Sequence, residues 1–114
     1  MMQYDLEERT LRFAKEVIEF VNTLPKTMAN IEIMKQIIRS SGSVGANYIE
    51  ANEALSKKDF AMRVKICRKE AKESRYWLRL IEVKREDAEK KRQSLINEAT
   101  EIMKIFGSIV EKAK

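Results

Sequence analysis

Backbone breakers are almost absent from this chain: one proline and three glycines interrupt 114 residues. Between the breaks, Ala, Glu, Lys, Arg, Leu, Ile and Met dominate, side chains that lose little freedom on entering a helix. The expected class is all-α, and the length suits one domain over residues 1–114 with a single core.

Hydrophobic spacing divides the chain into four helices. Leu6, Phe13, Val17, Val21 and Leu24, with Ala14 and Ile18 beside them, line one face from about Asp5 to Asn22. Pro25, which lacks an amide hydrogen and disfavours helical backbone before it, ends that run near Leu24. A second helix is predicted from near Met28 to about Leu55, with Ile31, Met34, Ile37, Ile38, Tyr48 and Ile49 on its buried side, along with Ser41, Gly45 and Ala54. Its middle, Ser40-Ser41-Gly42-Ser43-Val44-Gly45-Ala46, collects small residues at a cost of roughly 1 kcal/mol per glycine, which points to the close approach of a neighbouring helix. Ser56 is placed to cap a third helix, with Asp59 at its positive end. Phe60, Val64, Cys67, Ala71, Ser74, Leu78 and Ile81 carry this helix to about Lys84 in steps of four and three. After a charged connection around Arg85 to Asp87, the fourth helix buries Leu95, Ile96, Ala99, Ile102, Met103, Phe106, Ile109 and Val110, then frays over Glu111 to Lys114. Short connections make this an antiparallel up-down four-helix bundle.

Several functions lack their chemistry here. With no histidine the chain has no imidazole base, and its single cysteine, Cys67, reads as a small core residue. Gly42-Ser43-Val44-Gly45 lacks the Lys-Ser/Thr that completes a phosphate-binding loop and follows no strand. Glu50, Glu53, Glu70 and Glu73 could project from two helices, but a ferritin-like metal centre needs Glu-x-x-His, so ion pairs across the bundle are expected instead. No enzyme activity, metal or cofactor is expected. The longest uncharged stretch, Ser40 to Ile49, is too short to cross a membrane, and the acidic start Met1 to Glu8 does not read as a signal peptide, so the expected location is the cytoplasm.

The third helix carries the functional signal. Lys57 to Arg92 holds 14 Lys and Arg against 7 Asp and Glu, while the remainder holds 9 against 11. In a helical projection from the core stripe, Lys57, Lys65, Arg68, Lys72, Arg75 and Arg79 fall within roughly 60–140° and make a continuous basic ridge, with Glu82 beside it. Met62, Ile66, Tyr76, Leu80 and Val83 occupy roughly 140–240°, opposite the core, with Trp77 at the core edge. A helix apolar on two opposed faces cannot bury both inside its own bundle, so Met62, Ile66, Tyr76 and Leu80 are expected at a homo-oligomer interface. Assembly would bring basic ridges together, which suits phosphate backbones bound without base readout.

The run Arg39-Ser40-Ser41-Gly42-Ser43-Val44-Gly45-Ala46-Asn47-Tyr48-Ile49-Glu50-Ala51, followed by Lys69-Glu70-Ala71-Lys72-Glu73-Ser74-Arg75-Tyr76-Trp77-Leu78, resembles the 23S ribosomal RNA intervening-sequence protein family of bacteria. The resemblance covers nearly the whole chain, the first and last helices matching in pattern only. It implies a short four-helix bundle that associates as a homopentamer, and it brings no catalytic residues. The same fold resembles the accessory protein of diversity-generating retroelements, a basic pentameric bundle that binds nucleic acid. The expected function is therefore a non-enzymatic, homo-oligomeric nucleic-acid-binding protein, RNA-directed, contacting phosphates through Lys65, Arg68, Lys72, Arg75 and Arg79. The alternative is an interaction scaffold for an acidic protein partner.

Overall fold

A computed structural model describes residues 3–113; Met1 and Met2, part of the acidic start read above, and Lys114, the last residue of the expected frayed end, lie outside them. Four helices follow one another: α1 (Gln3–Val21), α2 (Met28–Asn52), α3 (Lys57–Leu80) and α4 (Glu86–Lys112). Cross-helix pairs run in opposite register along every seam. Arg9 meets Glu98 and Glu16 meets Lys91 between α1 and α4; Ser40 meets Ser74 and Asn47 meets Arg63 between α2 and α3. The bundle is thus antiparallel and up-down, with its tightest packing on both flanks of α3 and its thinnest seam between α1 and α4.

Each boundary has a local cause. The Thr27 hydroxyl accepts the Asn30 amide hydrogen at 3.1 Å and opens α2 just beyond Pro25. Ser56 accepts from the Asp59 amide at 3.1 Å and opens α3 as its sequence predicts. Two helices are shorter than their hydrophobic patterns suggest. α2 stops at Asn52 because Ser56 must be extended to cap α3, which leaves residues 53–55 to reverse the chain and Leu55 wholly exposed. α3 stops at Leu80, four residues before the expected Lys84, because the hydrogen bonds of residue 82 go elsewhere. The Glu82 amide donates to Asn30 Oδ1 at 3.0 Å, and its carbonyl accepts from Asn30 Nδ2 at 2.9 Å. Val83 therefore leaves the outer strip of α3 and packs partly buried against the core, and Glu82 lies beyond the end of the helix. The last helix does not fray where expected; it holds to Lys112.

The core is continuous from end to end, with Phe13, Ile37, Val64, Leu78, Leu95, Ile102 and Phe106 fully buried and the Tyr48 and Phe106 rings 5.4 Å apart across it. Cys67 sits wholly inside, and burial pushes its thiol up to about 12. The small residues of α2 divide by face. A Cβ on Gly45 would lie 2.9 Å from Thr10 Oγ1, so the backbone of α2 rests there on the Thr10 side chain of α1. Ser40 and Ser74 join α2 to α3 by hydroxyls 2.8 Å apart. Around Gly42, by contrast, a Cβ would meet nothing within 4 Å. Close approach thus explains Gly45 and not Gly42. A further departure concerns Ile18, Ile31, Ile38 and Ile49: expected on or beside buried faces, they stand 39–49 % exposed.

Candidate nucleic-acid interface

Lys65, Arg68, Lys72, Arg75 and Arg79 recur at alternating steps of three and four, so the twist of α3 cancels and the five charges form a straight row about 21 Å long. The row faces α4. Arg75 Nη1 donates to Thr100 Oγ1 at 3.3 Å, and Arg68 lies over Gly107, where a Cβ would come within 3.8 Å of its Nη1. Thr100 and Gly107, one heptad apart on α4, thus provide the small floor on which two guanidinium groups rest. Lys65, Arg68, Lys69 and Lys72 line an open groove closed on the α4 side by Val110 and Glu111.

Apart from Glu111, which lines the groove itself, carboxylates near the row are engaged in other directions. Glu98 holds Arg9 through two hydrogen bonds of 2.7 and 2.8 Å, Glu16 holds Lys91 at 2.7 Å, and Glu89 pairs with Arg92. On the opposite flank of α3, Arg39 of α2 lies between Glu70 at 3.4 Å and Glu73. These two carboxylates make the cross-bundle ion pairs that their spacing predicts. The Trp77 indole, donating to Glu73 at 3.0 Å, and then the Arg39 guanidinium, hold the Glu73 carboxyl below its usual range against the opposing effect of burial. Among the described residues, none of the five ridge cations is ion-paired. The result is a concentration of positive charge along one groove, free to meet an anion.

The structure brings all five expected ridge residues into one row, and the initial Lys57 into the first turn of the same helix. Met62, Tyr76 and Leu80 stand a little over half exposed on the outer side of α3, as the projection predicts, while Ile66 is half-buried. Sequence reasoning missed Lys69 as a lining residue and missed the α4 floor. The signal for the floor was Thr100 and Gly107 at a seven-residue interval beside the apolar face, visible only once α4 is known to follow α3 around the bundle. Among the described residues no cluster of Cys, Asp and Glu could hold a metal ion, and no helix is long and apolar enough to cross a membrane.

Residues 2–108 match the family model described as 23S rRNA-intervening sequence protein. The chain belongs to that family. A solved structure agrees: a protein of unknown function from the S23 ribosomal protein family of Bacteroides thetaiotaomicron VPI-5482 is 34% identical, with a TM-score of 0.79 over 91% of this chain and 96% of its own. None of the curated proteins matches the chain.

Proposed function

We propose that this member of the family is a non-enzymatic, homo-oligomeric nucleic-acid-binding protein, directed to RNA, whose Lys65, Arg68, Lys72, Arg75 and Arg79 contact phosphates. The observation that carries the reading is the unpaired row of five cations on the α4-facing side of α3, in a molecule whose other arginines mostly have carboxylate partners. A straight row of charges on one helix recognises a sugar-phosphate backbone by position and charge and carries no base code. Arginines resting on Thr100 and Gly107 are partly ordered before binding, so less side-chain entropy is lost in the complex. Met62, Tyr76 and Leu80 form the subunit contact beside this row.

Replacing Arg68, Lys72 and Arg75 together by Gln tests the proposal. Affinity for a short mixed-sequence RNA, followed by fluorescence anisotropy over a salt series, should fall by about 10–100-fold, and the salt slope should shrink by about 2–3. Helicity and mass should stay as in the unsubstituted protein. Unchanged affinity and slope would overturn the phosphate-contact role. Binding of an acidic polypeptide instead of RNA would favour the scaffold reading, in which the same cations meet carboxylates.

A further inference from the structure

The outer flank of α3 carries an aromatic ring that neither the core nor the groove accounts for. Tyr76 is 58 % exposed, yet it is held in place from behind. Its ring meets Trp77 edge to face, with centroids 5.0 Å apart and planes at 76°. Trp77 packs partly buried against the core and donates its indole hydrogen to Glu73 at 3.0 Å, and Glu73 in turn pairs with Arg39 of α2. A ring anchored in this way loses little freedom when a second flat group settles on it. Position ties the same ring to the cations. On an ideal helix Tyr76 lies about 20° from the lines of Lys65 and Lys69, and about 40° from Lys72 one turn before it. Met62 and Leu80 lie about 40° away on the other side, with the line of Lys69 between. Tyr76 is therefore the member of the outer strip closest to the row, and lysines surround it. Two of them, Lys69 and Lys72, also line the groove.

We propose, resting on the phosphate-contact reading above, that the groove takes an unpaired strand, with its phosphates along the row and one base stacked on Tyr76. Two features of the site favour a single strand over a duplex. The row is straight over about 21 Å, whereas each strand of a duplex winds around its axis and leaves a straight line after a few phosphates. A single strand is flexible enough to follow the row throughout. The second feature is the ring itself. Bases in a duplex are paired and stacked on one another, and their faces are free only at the ends, where the phosphates do not follow the row. A single strand whose phosphates meet Lys72 and Arg79 carries its bases beside the row, on the side where Tyr76 stands. The α4 side has no room for them, because Thr100 and Gly107 lie under the arginines and Val110 and Glu111 close the groove. Every base has a π-face, so the ring selects unpaired bases and not a sequence. With Met62 and Leu80 turned toward a neighbouring subunit, Tyr76 stands at the border of that contact, within reach of a strand on the row.

Two variants and two RNAs test this. Tyr76→Leu keeps apolar bulk for a subunit contact and removes the π-face, while Tyr76→Phe keeps the face. The probes are a short mixed-sequence RNA and the same RNA annealed to its complement, each followed by fluorescence anisotropy over a salt series. The unsubstituted protein should bind the single strand more tightly. Tyr76→Leu should weaken single-strand binding by about 5–100-fold and leave duplex binding as it was. Its salt slope should not change, because stacking releases no counterions. Tyr76→Phe should stay within about 2-fold of the unsubstituted protein. Trp77, the sole tryptophan of the chain and in contact with Tyr76, adds an independent signal: its emission should be quenched by the single strand and not by the duplex. Equal affinity of the unsubstituted protein for both RNAs would overturn the proposal. So would a leucine variant that binds the single strand undiminished, or one that loses both RNAs alike. If the leucine variant loses helicity or mass, the Trp77 emission of the unsubstituted protein decides, and an equal response to both RNAs overturns the stacking. The two readings fail separately. If replacing Arg68, Lys72 and Arg75 by Gln weakens binding and Tyr76→Leu does not, the phosphate contacts stand without the stacked base; if neither changes affinity, both readings fall.

Discussion

The two halves of this bundle are built from helices of similar length and similar periodicity, yet they present opposite surfaces. The α1–α2 half has a slight acidic excess and shows isoleucines to solvent; the α3–α4 half is strongly basic and shows a groove of unpaired cations. The contrast comes from where ion pairs form. The acids of α4 at Glu89 and Glu98 reach along their own helix or toward α1, and the acids of α3 at Glu70 and Glu73 reach toward α2, so the α3–α4 groove, lined by four cations and Glu111, keeps an excess of positive charge. A four-helix core needs only one stripe from each helix. The remaining surface can therefore be specialised by half without disturbing the fold.

If the halves are separately specialised, something must clip them together, and the largest effect expected from a single change is at that clip. Asn30, at the start of α2, is buried and bonds to Pro25 O at 3.0 Å and to both backbone groups of Glu82. It joins the α1–α2 and α3–α4 connections through one amide. Asn30→Ala would leave three backbone groups without their partner, a loss of about 3 kcal/mol in urea unfolding. A loss below about 1 kcal/mol would show that water replaces the amide and that the two loops do not depend on it.

The two glycines of α2 sharpen the comparison from within one helix, with opposite signs. Gly45 faces the inner seam, and Thr10, whose hydroxyl donates to the Leu6 carbonyl at 2.8 Å, has no space to yield. Gly45→Val should destabilise the protein by about 2 kcal/mol through overpacking. Gly42 faces outward with open space around it, so Gly42→Ala should stabilise the isolated subunit by about 0.5–1 kcal/mol through helix propensity. Thermal unfolding of both variants at low protein concentration checks the pair of signs. Equal destabilisation at both sites would mean that Gly42 is packed against another chain even in dilute solution.

The same helix shows what the sequence could and could not reveal. Four helices, the Ser56 cap and the break at Pro25 were legible because each depends on residues close together in the chain. The basic ridge was legible for the same reason: its five members share one helix face. Burial was misread at Ile18, Ile31, Ile38 and Ile49, because periodicity reports that a residue lies near an apolar stripe and not where the stripe ends. α2 carries apolar residues over so wide an arc that only the positions of α1 and α3 decide which are covered. The early end of α3 depended on Asn30, a residue 52 positions from its partner Glu82, and no local pattern encodes that.

The smallest expected effect lies on the boundary between the halves, where Arg39 of α2 pairs with Glu70 and Glu73 of α3. The Glu73 carboxyl is lowered, chiefly by the Trp77 indole and then by Arg39. A carboxylate lowered in the folded state stabilises the fold above its unfolded value, and that contribution disappears as the pH falls through the folded one. Glu73→Gln should therefore cost a few tenths of a kcal/mol, and at most about 1 kcal/mol, near pH 7, because the pair is open to solvent. In acid, below the lowered folded value, where the carboxyl of the unsubstituted protein is itself protonated, the difference should shrink toward zero. Urea unfolding of both proteins at the two pH values measures this. A difference that persists in acid would assign the contribution to the shape of the Trp77 hydrogen bond, and the charge pairing that directs α3's acids away from the basic groove would then add little to the stability of the seam.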